Sequence, residues 1–237
     1  TDTHSPISVE AIKAGKHVFC EKPIDHDIEK IQEVIDALKE SNVKYQVGFN
    51  RRFDHNFEAV QSAVAAGKIG DIHVIKVTSR DPEPPFLAGC NAEEVYVQAA
   101  VLVDPAIGEA GDVDTAVITL KMENGAIAVI DNSRKAVYGY DQRAEVFGSK
   151  GMVATGNDTA SAAVISNENG VTGEVPLHFF LERYMAAYAK EVKCFIDAIV
   201  NDTDTPLGVM DGLEPVLMGI AAKKSMEEHR PVKISEV

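Results

Sequence analysis

The chain has 237 residues, of which 45% are hydrophobic and 25% charged, and its formal net charge is −14. These fractions are typical of a soluble globular protein, and the length suffices for one large domain or two ordinary ones. An acidic surface repels phosphate backbones and anionic lipids. The composition therefore argues against nucleic acids and membranes as partners.

The cysteines Cys20, Cys90 and Cys194 are odd in number, far apart and without metal-ligand spacing. They favour free, buried thiols in a reducing compartment over a disulfide framework. No apolar run approaches the roughly 20 residues that cross a bilayer, and no signal peptide opens the chain. We therefore expect a cytoplasmic protein. The chain opens on polar residues without an initiator methionine, so we interpret Thr1 as a cut end.

The first 50 residues alternate helix and strand patterns with short links. Apolar positions at helical spacing predict two helices, and short, nearly continuous apolar runs predict two buried strands. The predicted order is a helix from Ser5 to Gly15, a strand over 17–20, a helix from Asp27 to about Glu40 and a strand over 45–49. This order is typical of a parallel α/β sheet.

The pattern changes beyond Arg52, where one more helix over about 56–66 is followed mainly by strands. The predicted strands begin near Ile72 and Glu94 and cover 114–120, 126–130, 142–147, 153–155, 163–166 and 172–175, and helices over 180–199 and 212–228 close the chain. An Asn124-Gly125 turn predicts a hairpin between two of these strands. We place a domain boundary near residue 50. Residues 1–50 are then a parallel α/β remnant, and residues 51–237 an α+β domain with a large, mostly antiparallel sheet.

Charged residues follow both predicted strands of the first unit. Glu21-Lys22-Pro23 follows one strand and Arg51-Arg52 the other. Ligands of open parallel sheets bind outside the carboxyl ends of the strands, and lysine or arginine there can hold a polyol or a developing alkoxide. Charged residues in a solvated loop would show the same sequence pattern. The residue types alone therefore do not distinguish a ligand site from solvated loop cations. Pro23 favours a site slightly, because an X-Pro bond can be cis and fix the direction of the preceding side chain.

Four ordered segments resemble the Gfo/Idh/MocA family, which includes glucose–fructose oxidoreductase and inositol dehydrogenase. GKHVFCEKP at 15–23 is similar to the family's AGKHVxxEKP segment, and VGFNRRFD at 47–54 to the GFxRRFD stretch of its inositol dehydrogenases. YGYDQ at 138–142, followed by EVFGSKG at 145–151, and FLERY at 180–184 are similar to further family segments. The resemblance implies that residues 1–50 are the C-terminal remnant of a dinucleotide-binding Rossmann domain.

The resemblance also implies roles for individual residues. Lys22 would be the active-site lysine, contacting both the nicotinamide ribose and a substrate hydroxyl. Glu21 and Pro23 would shape the cofactor contact, with a cis bond before Pro23. Arg51 and Tyr140 correspond to positions where the inositol enzymes contact the polyol.

His4 falls in a loop that lies beside the cofactor in this family, although a surface histidine at a frayed end is an equally good reading. Five other histidines fit no metal-ligand spacing, and we interpret them as surface or structural residues: His26, His55, His73, His178 and His229. We therefore expect no metal site.

Two departures from the family pattern stand out. The opening G-x-G-x-x-G fingerprint is absent, and two missing βα units correspond to roughly 60–70 residues before Thr1. The family's catalytic Asp and His, four residues apart, should lie between the strand ending at Arg80 and the one beginning near Glu94. That region instead runs from Pro85 straight into Phe86, which resembles the end of a helix without its beginning. We predict a missing segment and a physical gap at this 85/86 junction.

The implied reaction is NAD-dependent oxidation of a ring hydroxyl of a cyclic polyol, with myo-inositol oxidised to 2-keto-myo-inositol (scyllo-inosose). NADP is not excluded, because the acidic residue that distinguishes the cofactors precedes this chain. Another pyranose or aldose dehydrogenase of the family is an alternative, and so is a non-catalytic protein that binds sugars or other subunits. Long strands such as those at 113–120 and 126–132 need a cover on the face that helices leave bare. We therefore expect a homodimer or homotetramer formed through the large sheet.

Overall fold

A computed structural model describes residues 1–80 and 91–237. Helices and strands alternate in the first part of the chain, and strands predominate from residue 72 to residue 173. In chain order the elements are α1 (His4–Lys13), β1 (Val18–Glu21), α2 (Ile28–Lys39), β2 (Tyr45–Gly48), α3 (His55–Ala65), β3 (Ile72–Ser79), β4 (Ala92–Ala100), α4 (Pro105–Glu109), β5 (Thr115–Met122), β6 (Ile127–Ser133), β7 (Gln142–Gly148), β8 (Gly151–Thr155), β9 (Val164–Asn167), β10 (Gly170–Gly173), α5 (Phe180–Arg183), α6 (Met185–Val200), α7 (Val209–Glu228) and β11 (Val232–Lys233).

The first unit is a small parallel α/β layer. β1 and β2 are parallel, and Glu21 pairs with Gly48 at their carboxyl ends. α2 begins after Asp27, whose side chain accepts a hydrogen bond from the backbone of Glu29 as a helix cap. Ile31 on the inner side of α2 is fully buried, so the helix packs its apolar stripe against the strands.

The second unit is built on a seven-stranded sheet with the order β11-β4-β5-β6-β3-β7-β8. β3 and β6 run parallel, and the other strand pairs of this sheet are antiparallel. The predicted fold class, a parallel Rossmann-type remnant followed by a mostly antiparallel sheet, is confirmed. The apolar face of the sheet packs on α3 and α7 around Ile75, Val77 and Ile130, which are all buried.

Helix α7 contacts both sheets. It packs on β4 and β11 of the large sheet and on α2 and β2 of the small one. Gly212 permits this approach, because a Cβ atom there would lie 2.5 Å from the side chain of Ile24 and 3.2 Å from that of Val47. A larger residue would therefore push α7 away from the first unit.

The structure corrects one predicted helix. The single helix expected over 180–199 is divided into α5 and α6, because Tyr184 leaves helical geometry between them. Its ring is 1% exposed and packs edge-on against Tyr140. Tertiary packing of this ring outweighs the local helix propensity. The short α4 and β11 were not predicted, and the expected gap at the 85/86 junction lies outside the described residues.

Cys20 is a buried free thiol and Cys194 a half-buried one, as the sequence predicts. Cys90 lies outside the described residues. Within residues 1–80 and 91–237, every helix is too short or too polar to pass through a bilayer.

Candidate functional site

The carboxyl ends of β1 and β2 bring the first group of predicted site residues together. Lys22 follows β1 directly, and the Lys22–Pro23 peptide bond is cis, as the resemblance implies. His4 lies in the first turn of α1, and its Nδ1 donates a hydrogen bond to the carbonyl oxygen of Pro23 at 2.7 Å. His4 is therefore tied to the Lys22–Pro23 turn.

Glu21 occupies space that a side chain at the end of β2 would need. A Cβ atom on Gly48 would lie 3.1 Å from the carboxyl carbon of Glu21. Side chains alternate along a strand, so this is the face from which Gln46 also projects. Gln46 is buried and donates a hydrogen bond to the backbone oxygen of Glu191 on α6 at 2.9 Å. The Glu21 carboxylate thus lies on the α6 side of β2.

Glu191 is a buried carboxyl group beside this edge. It is 1% exposed, and its Oε2 has no hydrogen-bond partner among the residues that the structure describes. Burial, and then the neighbouring charge of Glu21, raise the pKa of Glu191 to about 8. Glu191 is therefore protonated at neutral pH.

Arg51 and Tyr140, the two predicted polyol contacts, lie side by side. Arg51 is in a single 3₁₀ turn after β2 and is 9% exposed. Its Nη2 donates to the hydroxyl of Tyr140 at 3.0 Å, and its Nη1 donates to the Oγ of Ser79 at 3.2 Å. Ser79, at the end of β3, was not singled out from the sequence, where it looks like any polar residue at a strand end.

The loop that carries Tyr140 has a backbone that only glycine adopts easily. Gly139 has a φ of 124°, and a Cβ there would lie 2.6 Å from the carbonyl oxygen of Pro176. The next residue, Tyr140, donates its backbone N–H to the carbonyl oxygen of Leu177 at 2.9 Å. This close contact with 176–177 fixes the direction of the Tyr140 side chain.

Asp141 anchors the same loop from the other side. Its fully buried carboxylate accepts hydrogen bonds from Arg143 at 2.7 and 3.0 Å, from Asn157 at 2.6 Å and from the hydroxyl of Tyr138. Burial alone would raise the pKa of Asp141, but these hydrogen bonds outweigh it and lower the pKa to about 2. Asp141 therefore stays ionised and holds the loop at neutral pH.

Behind Arg51, Tyr184 lies between two guanidinium groups. Arg51 is 5.9 Å and Arg183 5.6 Å from the centroid of its ring. Arg183 is itself buried and forms ion pairs with Asp54 at 3.4 Å and Asp158 at 3.2 Å. The two acids and His55 bring potential metal-ligand atoms within 4.8 Å of one another. Because Arg183 already pairs with both carboxylates, we interpret this cluster as structural.

Two adjoining cavities connect the residues of the site. One, of about 270 Å³, is lined by Lys22 and Pro23, and among its described lining residues the other polar side chain is Asn132 on β6. The second, also about 270 Å³, is lined by Arg51. The cavities share the apolar residues Phe49, Pro215 and Met218. Lys22 and Arg51 thus line neighbouring parts of one cleft, between the strand ends and α7.

Comparisons with known proteins agree with this architecture. Residues 1–49 match the family model described as "Oxidoreductase family, NAD-binding Rossmann fold", and residues 85–154 match the model of the "GFO/IDH/MocA C-terminal domain". A curated relative, the myo-inositol 2-dehydrogenase of Thermotoga maritima, is 44% identical over 261 aligned positions that cover 100% of this chain and 78% of the relative.

Solved structures of similar fold also include dehydrogenases. The crystal structure of a probable dehydrogenase from Thermotoga maritima has a TM-score of 0.96 and 44% identity, covering 100% of this chain and 78% of that one. A scyllo-inositol dehydrogenase from Lactobacillus casei, solved with NAD(H) and scyllo-inositol bound, has a TM-score of 0.90 and 27% identity, covering 98% and 77%.

Proposed function

Because the chain belongs to the Gfo/Idh/MocA family of oxidoreductases, we propose that the complete protein oxidises a ring hydroxyl of a cyclic polyol, with NAD as hydride acceptor and myo-inositol as substrate. Two observations carry this proposal: Lys22 and Arg51 line neighbouring parts of one cleft, and Arg51 donates a hydrogen bond to the hydroxyl of Tyr140. The name of the Thermotoga maritima relative, a myo-inositol 2-dehydrogenase, supports the substrate. NAD(H) bound in the Lactobacillus casei structure supports the cofactor.

The residues at the β1 edge suit the nicotinamide end of a dinucleotide. Lys22 is a cation at the carboxyl end of a parallel strand, where ligands of such sheets bind, and it borders a largely apolar cavity. Bound NAD supplies the chemistry of hydride acceptance. Glu21, Pro23 and His4 would border the cofactor, and the His4–Pro23 hydrogen bond would hold this turn in place.

On the substrate side, Lys22 would donate a hydrogen bond to the hydroxyl that becomes an alkoxide-like oxygen during oxidation. A cation aimed at developing negative charge lowers the barrier of the reaction. Arg51 and Tyr140 would hold the ring through its other hydroxyl groups. Their mutual hydrogen bond and the buried setting of Arg51 keep both donors in a fixed orientation before substrate arrives.

The proton of the reacting hydroxyl would be removed by a histidine of a segment that this chain lacks. The alignment with the Thermotoga maritima relative spans 261 positions, more than the 237 residues here, so the relative carries residues without a counterpart. The extra positions support a missing internal segment, and the run of Pro85 into Phe86 is the reason for placing it at the 85/86 junction. The absence of the Asp and His also favours the alternative of a non-catalytic polyol-binding protein for the chain as it stands. The division into residues 1–50 and 51–237 remains part of this proposal.

The protein would assemble through the large sheet as a homodimer or homotetramer. Four paired residues form an apolar row on the sheet face opposite α7: Ile127, Val74, Phe147 and Met152 on β6, β3, β7 and β8. Ile127, Phe147 and Met152 are 48%, 46% and 53% exposed. A second subunit would cover this outer apolar row. A cytoplasmic location fits the free thiols of Cys20 and Cys194.

Steady-state kinetics with myo-inositol and NAD⁺ on the complete protein test the proposal. Lys22→Ala should lower turnover by about 10²–10³, as expected for removing one donor to developing negative charge. Arg51→Ala and Tyr140→Phe should mainly raise KM, because they hold the ring in both the ground and the transition state.

If Lys22 were a solvated cation, its loss would leave turnover intact and change stability by no more than about 0.5 kcal/mol. Near-normal turnover of a folded Lys22→Ala protein would therefore refute the assignment of Lys22. A complete wild-type protein that binds myo-inositol without oxidising it would favour the non-catalytic alternative.

A further inference from the structure

Three polar side chains form a row across the middle of the large sheet. Ser79 on β3 pairs in register with Asn132 on β6 on one side and with Gln142 on β7 on the other. Residues paired across neighbouring strands project from the same face of a sheet. With strands roughly 4.8 Å apart, this polar row is roughly 10 Å wide.

The polar row marks the place where the apolar core of the sheet ends. Two positions earlier on β3 and β6, the same face carries the buried residues Val77 and Ile130. The row also lies beside the cleft described above, because Ser79 accepts a hydrogen bond from Arg51 and Asn132 lines the cavity of Lys22. Two of its three residues are therefore next to the cleft, Asn132 as part of the lining and Ser79 through its contact with Arg51.

The amides at the two ends of the row have polar atoms without hydrogen-bond partners among the residues that the structure describes. Gln142 is 1% exposed, and neither its Oε1 nor its Nε2 has a hydrogen-bond partner in the described part of the chain. The same holds for the buried Oδ1 of Asn132. A buried amide without a partner costs stability that an apolar residue of similar shape would not. A bound ligand would supply the partners that residues 1–80 and 91–237 do not.

We propose that Asn132 and Gln142 are substrate-binding residues that form the floor of the polyol site. An amide both donates and accepts hydrogen bonds, as does each hydroxyl of a cyclic polyol, so the two groups are matched partners. The width of the row lets the two amides hold hydroxyls on opposite sides of one ring. This inference rests on the proposed function, and it adds residues that recognise the hydroxyl pattern of the substrate.

The test compares Gln142→Leu and Asn132→Leu with the wild type, all as complete proteins. Calorimetry with myo-inositol in the presence of NAD⁺ gives Kd, steady-state kinetics give KM and kcat, and thermal unfolding gives Tm. We expect each variant to raise Kd and KM roughly 10- to 100-fold, because a polar substrate group then faces an apolar side chain. We also expect Tm to stay unchanged or rise, since each substitution removes an unpaired buried amide.

The matched control is Thr78→Val, which removes a hydroxyl from β3 on the opposite face, one residue from Ser79. The Kd, KM and Tm of this variant should equal those of the wild type. Variants of the polar row with unchanged Kd and KM, or with lower Tm and an unchanged Kd, would overturn the inference.

Analogues that lack one ring hydroxyl sharpen the test. One analogue lacks the hydroxyl that Gln142 holds, and it should bind the wild type more weakly than myo-inositol does. The Gln142→Leu variant should bind this analogue and myo-inositol with the same Kd. If every deoxy analogue lost affinity equally in both proteins, Gln142 would not contact the ring. Failure of this inference can be distinguished from failure of the proposed function. If the proposed function were wrong, the wild type itself would neither bind nor oxidise myo-inositol.

Discussion

Glu191 on α6 carries a proton that an exposed glutamate would have lost at neutral pH. Burial, together with the charge of Glu21, raises its pKa from 4.5 to about 8. Between these two values the folded protein holds the proton and the unfolded chain does not. Stability therefore falls as pH rises from about 4.5 to about 8, because folding must hold a proton that is increasingly scarce.

Glu191→Gln should remove this pH dependence, since a neutral amide of the same shape replaces the protonated acid. We expect the free energy of unfolding of the variant to increase relative to that of the wild type as pH rises from 5 to 8. The relative increase should be on the order of 3 kcal/mol at pH 8. Urea unfolding at several pH values measures the difference. Glu33→Gln, at an exposed position on α2, is the control and should show no such trend. Parallel wild-type and Glu191→Gln stability curves would contradict the raised pKa.

Some residues of the candidate site could be predicted from the sequence, and others could not. Lys22, Arg51 and Tyr140 stand in segments that resemble a known family, and the structure brings Arg51 and Tyr140 into contact. Gln142 ends the YGYDQ segment, but the resemblance gave it no role, and Asn132 lies in none of the four segments. They become neighbours of Ser79 only because β3 pairs with both β6 and β7, which lie far from it in the chain. Burial and strand order are long-range properties, so the sequence did not show that these two amides share a face of the sheet with Ser79.

At the scale of an element, the loop before β7 depends on Gly139. Its φ is 124°, and a Cβ atom at this position would lie only 2.6 Å from the carbonyl oxygen of Pro176, so a side chain is excluded on both grounds. Gly139→Ala should destabilise the fold by roughly 1–3 kcal/mol and raise KM, because the shifted loop carries Tyr140 away from Arg51.

Thermal unfolding and steady-state kinetics measure these two effects of Gly139→Ala. Gly156→Ala is the control, since nothing lies within 4 Å of its Cβ position. A Gly139→Ala protein with wild-type Tm and KM would show that the loop tolerates a side chain.

Most elements could be predicted from periodicity and turn residues, including the hairpin of β5 and β6. The exceptions are the short α4 and β11 and the break between α5 and α6. The apolar spacing continues through Tyr184, so a helix pattern alone predicts no interruption there. The break arises from the packing of Tyr184 against Tyr140, far away in sequence, and from the guanidinium groups of Arg51 and Arg183 on its ring.

At the scale of the whole molecule, the outer apolar row of the large sheet decides the oligomeric state. Phe147→Glu introduces a charge into the row, where a second subunit would have to bury it. We expect the complete wild-type protein to have the mass of a dimer or tetramer in light scattering at micromolar concentration, and Phe147→Glu to dissociate to smaller species.

Val171→Glu is the control for this prediction. Val171 on β10 is 72% exposed but lies outside the outer apolar row, so its substitution should leave the mass unchanged. A monomeric wild type, or a Phe147→Glu protein of wild-type mass, would contradict assembly through this face.

Helix α7 limits how the cleft can move. Its twenty residues form a rod roughly 30 Å long, and this rod is packed on both sheets at once. At Gly212 the helix lies so close to Ile24 and Val47 that a side chain would not fit between them. Rotating one sheet away from the other to widen the cleft would therefore have to break the contacts that α7 makes with one of them.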